Sequence, residues 1–182
     1  MLDLNFDPFP LLTTELFTLR QIIPADGNEI FIQRSHPIAL KYINRVPAAN
    51  LEEALAFITK ITGLLESNES VIWAIVPKGE EKLVGTICLW NIDKELDRAE
   101  TGYGLHPDYF GKGIMSEVLS AVSNYGFQQM KLKRIDAYTH KDNKASLRLL
   151  EKNKFLRNHA FEADFEDKKE LEYNTIHTLL PD

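Results

Sequence analysis

The sequence predicts an α/β chain built on a mixed sheet, antiparallel at first and with one parallel crossover later. Strand-like runs rich in β-branched residues occupy positions 71–76 and 83–90, and a third strand follows at 98–105, with only short turns between them, the pattern of antiparallel neighbours. A helical period then sets in at Met115, Val118, Leu119, Val122 and Tyr125, and a strand-like run follows at 134–138, which makes one βαβ unit. The full order reads β-α-α-β-β-β-α-β-α-β-β, without the regular alternation of a doubly wound sheet.

Each element has a local reason. Residues 17–22 alternate in polarity and are stopped by Pro24. Asp26 stands where a short helix through Ile32 needs a cap, and a second short helix falls at 38–42. Leu51, Leu55, Ile58, Ile61 and Leu65 recur at helical spacing behind Asn50, a residue whose side chain satisfies free N–H groups at a helix start. Positions 77–82 and 93–97 read as turns, 144–152 as a helix, and 155–165 and 170–179 as two closing strands. Repeats, low-complexity tracts and Pro/Gly/Ser linkers are absent from the sequence, so residues 1–182 read as one domain.

Composition bounds the function. The 182 residues are 44% hydrophobic and 26% charged, as in globular proteins, and the net charge of −6 argues against an electrostatic nucleic-acid binder. The single cysteine, Cys88, excludes an intrachain disulfide and a cysteine-based metal cage, and its apolar surroundings read as those of a buried structural thiol. The N-terminal residues lack a basic, then apolar leader pattern, and no run approaches the ~20 apolar residues of a membrane span. The expectation is a cytoplasmic protein with no membrane, nucleic-acid or metal partner.

Chemistry enters with Tyr109-Phe110-Gly111-Lys112-Gly113-Ile114-Met115-Ser116, which lies between a strand and a helix. Glycine lets the backbone turn and approach a ligand, and the first N–H groups of a helix lack internal partners, so this loop reads as a turn or as a pyrophosphate cradle. Asn143 and Ser146 open the next helix, after the crossover strand; Asn143 is a cap, a ligand contact, or both. Both helix starts face the same end of the sheet, where ligands collect. In 98–105, alternation puts Glu100, Gly102 and Gly104 on one face and Thr101, Tyr103 and Leu105 on the other. Glycines inside a strand signal a close approach to the backbone, so Glu100 is either a solvent-facing carboxylate or a base with space before it.

With these residues in place, the chain resembles the GNAT acetyltransferases, in the branch that includes the ribosomal-protein alanine and serine N-terminal acetyltransferases. Leu19-Arg20, Val84-Gly85-Thr86-Ile87, Ala99-Glu100-Thr101-Gly102-Tyr103, the stretch from Pro107 to Gly113, and Asn143-x-x-Ser146 followed by Glu151-Lys152-x-x-Phe155 carry the resemblance, in the family's order. It implies a V-shaped sheet that splits between the fourth and fifth predicted strands, 98–105 and 134–138, and holds acetyl-CoA in the split. It places the co-substrate against Leu105, His106, Gly111, Lys112, Gly113, Ile114, Met115, Ser116 and Asn143. The sequence departs from the family pattern at Phe110 and Met115, and Lys154 stands where the family has glycine. Asn153 is then the expected left-handed residue at that helix end. Leu150 occupies the slot of the tyrosine acid found in some relatives, which leaves Ser146 as the polar candidate.

The implied reaction is acetyl transfer from a thioester to a primary amine by direct attack, at a protein N-terminus or on a small molecule. Glu100 takes the amine's proton, an N–H near Leu105 meets the carbonyl oxygen, and Ser146 acts as acid or orients the sulfur. Trp90, Asn91 and Gly102 are the expected acceptor contacts; Trp73 reads as core or pocket. A homodimer is compatible with this reading. A dinucleotide-binding oxidoreductase is disfavoured because Ser116 stands where the third glycine of that motif belongs. The alternative is a catalytically idle acyl-CoA-binding module of the same fold, which a Glu100 side chain pointing away from the split would favour.

Overall fold

The sheet parts in its middle, and the way it does so positions everything else. The computed structural model describes residues 2–167 and 169–181. Its strands are β1 Leu12–Thr13, β2 Phe17–Gln21, β3 Val71–Pro77, β4 Gly85–Asp93, β5 Arg98–Leu105, β6 Arg134–His140, β7 Leu156–Arg157 and β8 Asn174–Leu179. They lie in the order β1-β2-β3-β4-β5-β6-β8-β7, and only β5 and β6 run parallel. That pair is joined from Arg98↔Arg134 to Thr101↔Ala137. Beyond it, β5 pairs on with β4 as far as Leu105, while β6 pairs on with β8 as far as His140. The result is a V-shaped opening between Gly102–Leu105 on one wall and Tyr138–His140 on the other.

Helices cover both faces. α1 Gly27–Ser35, α2 Pro37–Leu40 and α3 Leu51–Glu66 precede β3; α4 Ile114–Gln128 joins β5 to β6, and α5 Lys144–Lys152 follows β6. Asn50 caps α3 by accepting from Glu53 N at 3.0 Å. On one face, Val118, Leu119 and Val122 of α4 and Leu150 of α5 pack on Trp73, Ile75, Ile87, Leu89, Ala99 and Ile135. On the other, Ile30 of α1 and Ala54, Ile58 and Ile61 of α3 cover Ala74 and Val76. On that second face, Cys88, Trp90, Glu100, Gly102 and Gly104 belong to neither apolar core.

Four expectations need correction. Residues 155–165 are not one strand: after the two-residue β7, Asn158 accepts from Phe161 N at 3.0 Å and starts a helix, α6 His159–Asp164. Residues 170–179 begin with one helical turn, α7 Glu170–Tyr173, before β8, and β1 was not anticipated. The predicted element order therefore lacks one strand, one of the three helices ahead of β3, and these two short helices. Asp26 stands before α1 but does not cap it, because its carboxylate holds Arg20 at 2.8 Å and accepts from Ile23 N at 2.9 Å. At the end of α5 the left-handed residue is Lys154, with φ 64°, while Asn153 has φ −94°.

A left-handed conformation costs a residue with a Cβ roughly 1–2 kcal/mol, somewhat more than the entropy that glycine loses on ordering. Lys154→Gly is therefore expected to raise stability by up to about 1 kcal/mol, seen as a thermal midpoint ~2–4 °C higher. A lower midpoint would mean that the lysine side chain outweighs its backbone strain.

Candidate functional site

The loop ahead of α4 exposes a run of unused N–H groups. Gly111 and Gly113 are left-handed, at φ 74° and 79°, and a Cβ added to either would meet open space. The amides of residues 111 to 115 have no acceptor among the described residues; the first in-helix bond is from Ser116 N to Gly113 O at 3.1 Å. Consecutive N–H groups at the start of a 15-residue helix make a concave, positively polarised cradle that fits a pyrophosphate. Ile114 and Met115 bury their side chains, so only their amides face the loop. Lys112 Nζ rests 4.9 Å from the Tyr109 ring centroid, and Ser116 Oγ accepts from Asn153 Nδ2 at 3.2 Å. Phe110 is 48% exposed beside this loop.

The walls of the V supply the next groups. His106 N donates to Val84 O at 2.8 Å, which sets the phase of the β4–β5 ladder. Glu100, Gly102 and Gly104 thus exchange bonds with β4, while the odd-numbered residues turn theirs toward β6. The β5–β6 ladder ends at Thr101, so the N–H groups of Tyr103 and Leu105 border the opening with no strand opposite. His106 accepts from Asp108 N through Nδ1 at 3.3 Å, and its ring lies 6.3 Å from His36 and 6.2 Å from Tyr109. Across the V, Asn143 caps α5 by accepting from Ser146 N at 3.1 Å; Ser146 Oγ lies 2.8 Å from the Tyr103 hydroxyl.

Glu100 stands on the opposite face from Ser146, one residue before the strands part. A bulge in β4 between Trp90 and Asp93 puts Asn91 at φ 45°, and from there its Nδ2 donates to Glu100 Oε2 at 3.0 Å. Arg98 lies 4.0 Å from Glu100 Oε1 and 3.3 Å from the fully buried Asp136, which also holds Arg134 at 2.9 Å. Both guanidinium groups lie against the Phe161 ring of α6, at 5.1 and 4.3 Å. Burial pushes the Glu100 pKa up; the Asn91 hydrogen bond and Arg98 pull it down, and Asp136 adds to the rise. Tyr138, the first residue of β6 past the ladder, has its hydroxyl pKa pushed up to about 12 by burial, then by Glu100. Its hydroxyl bears on Glu100 and Arg98 electrostatically but meets no hydrogen-bond geometry.

The structure brings Trp90, Asn91 and Gly102 together with Glu100: a Cβ on Gly102 would lie 3.3 Å from Cys88 Sγ and 3.9 Å from Trp90 Nε1. The space expected before Gly104 is instead filled by Gln33 of α1, 2.7 Å from a Cβ there and held by Thr86 at 3.0 Å. Cys88 is half-buried; its Sγ donates to Gly102 O at 3.3 Å, and burial pushes its pKa up to about 12, so it stays a thiol. Sequence reasoning missed Tyr138, Asp136, Gln33 and the role of Tyr103 as Ser146's partner. Alternation alone put Tyr103 on the right face, but nothing in the sequence pairs it with α5.

A profile of the family described as Acetyltransferase (GNAT) domain matches residues 17–156. The uncharacterized N-acetyltransferase YoaA of Bacillus subtilis is 35% identical over 147 residues, 81% of this chain and 83% of that protein. A GNAT-family acetyltransferase from Bacillus anthracis has a similar crystal structure, with a TM-score of 0.77 and 27% identity over 93% of this chain and 98% of that one. The fold is also like that of the ribosomal-protein-S5-alanine acetyltransferase of Vibrio fischeri, at a TM-score of 0.79 and 22% identity over 94% and 97% of the two chains.

A carboxyl pKa raised in the folded state means that ionisation costs stability, so this contribution is lost as pH rises through the unfolded and then the folded value. Glu100→Gln, which keeps the uncharged form, is expected to melt progressively higher than wild type as pH rises from 4 to 7. Parallel melting curves across that window would show that Arg98 and Asn91 offset the burial completely.

Proposed function

This chain belongs to the GNAT acetyltransferase family, and from that premise we propose that it moves the acetyl group of acetyl-CoA onto a primary amine by direct attack in a ternary complex. The amine belongs to a protein N-terminus or a small molecule. The observation that carries this reading is the run of unused amides at 111 to 115 beside the opening between β5 and β6. These amides would hold the pyrophosphate, Asn143 and His106 would flank the chain that leads from it, and the thioester would enter the V. The N–H of Leu105 is the donor for the carbonyl oxygen as negative charge grows on it.

The attacking amine must be neutral, and α-amino groups titrate near ~8 and lysine near ~10.4. Glu100 takes the proton. Its raised pKa brings it nearer that of the amine, and Asn91 on Oε2 with Arg98 4.0 Å from Oε1 holds the carboxylate in place. Trp90 and Gly102 line the approach. The resemblance to ribosomal-protein N-terminal acetyltransferases favours a protein N-terminus as acceptor. Cys88, protonated and bonded to the Gly102 carbonyl, takes no part.

Acetyl-CoA at one hundred times its dissociation constant is expected to stabilise the fold by about 2.7 kcal/mol. Gly113→Val, which places a branched side chain in the cradle, should abolish that thermal shift, and Asn143→Ala should reduce it. Glu100→Gln should keep the shift yet slow acetyl transfer across a panel of amines by about 10²–10⁴, less so as pH rises and more amine is neutral. An acetyl-CoA shift without transfer to any amine would establish the idle binding module instead.

A further inference from the structure

Two hydroxyls meet across the V on the face that carries α4 and α5. Tyr103 stands on the β5 wall past the last pair with β6, and Ser146 in the first turn of α5, the helix that β6 leads into. Their oxygens lie 2.8 Å apart, and neither has another hydrogen-bond partner among the described residues. Two hydroxyl protons and one shared bond leave one proton unused. Either hydroxyl can donate across this 2.8 Å contact; with the phenol, the stronger acid, as donor to Ser146 Oγ, the serine proton is the one left over. Ser146 N is held by Asn143, which fixes the serine backbone and leaves its hydroxyl free to turn into the opening.

We propose that Tyr103 is a positioning residue for the thioester sulfur: its hydroxyl, donated to Ser146 Oγ, aims the serine proton at the sulfur, and the pair stabilises the departing thiolate by hydrogen bonding without surrendering a proton. The proposal rests on the acetyl-transfer reading above. In the transfer, the amine nitrogen bonds to the carbonyl carbon and the carbon–sulfur bond breaks, its electron pair going to sulfur. The nitrogen's proton passes to Glu100 and then to solvent, and the thiolate takes a proton from solvent as CoA leaves. Burial, opposed by the bond to Ser146, pushes the Tyr103 pKa up to about 12. A CoA thiol resembles a cysteine thiol near ~8.5, so full proton transfer from the phenol to the thiolate is disfavoured by a factor on the order of 10³. A donated hydrogen bond to a developing anion has no such penalty, and a chain of two donors polarises along its length.

The test is a double-variant cycle on single-turnover acetyl transfer. Tyr103→Phe keeps the ring and removes one oxygen; it is expected to lower the rate roughly tenfold, with KM for acetyl-CoA within about twofold and the melting midpoint unchanged. Ser146→Ala should lose at least as much, Ser146→Thr should recover most of it, and Tyr103→Phe added to Ser146→Ala should lose nothing more. A wild-type rate in Tyr103→Phe overturns the proposal. So do multiplying effects of Tyr103→Phe and Ser146→Ala, which would make Tyr103 a packing residue. Wild-type protein that transfers acetyl to no amine refutes the acetyl-transfer reading itself, and this proposal with it.

Discussion

Beyond Thr101 and Ala137, β5 and β6 stop sharing hydrogen bonds because each continues along its outer neighbour, β4 or β8. Strand twist then carries the two half-sheets apart. A sheet interior seldom offers free backbone N–H groups, yet this parting leaves those of Tyr103 and Leu105 with no strand opposite. The α4 cradle and the α5 cap both sit at the C-terminal ends of the parting strands, so groups far apart in the chain converge on one opening.

The two faces of that opening have different chemistry. On the α4–α5 side the polar groups are hydroxyls and amides, which suit an incipient thiolate and a carbonyl oxygen without titrating near neutrality. On the other side, Asp93, Arg98, Glu100, Asp136 and Arg134 form a connected charge network with Phe161 against its cations. Burial raises the affinity of Glu100 for a proton, Asn91 and Arg98 oppose the rise, and Asp136, which has no solvent exposure and holds both arginines, adds to it. The bulge at Asn91 spends backbone strain to orient that carboxylate, as strain at functional sites commonly does.

Much of this was legible in the residues. The period-2 run at β5 placed Glu100 and Tyr103 on opposite faces, and the glycine pair marked the loop whose amides are unused. Asn50 and Asn143 were recognisable as caps because capping is local chemistry between a side chain and the next three amides. Local chemistry also misled. A run of apolar and polar residues at 155–165 resembles a strand, but Asn158 nucleates a helix there and Phe161 finds its partners in Arg98 and Arg134, far away in the chain.

The sequence by itself determined the mixed α/β architecture, the glycine loop ahead of α4 and the face of β5 from which Glu100 leaves, since all three follow from periodicity and from glycine chemistry within a few residues. Only the tertiary structure decided what those groups meet. That Gln33 fills the space before Gly104 and that Tyr103 bonds Ser146 across the opening depend on contacts between segments remote in sequence. Such pairings are set by how helices and half-sheets pack, and periodicity reports only which face a side chain leaves from, not what stands opposite it.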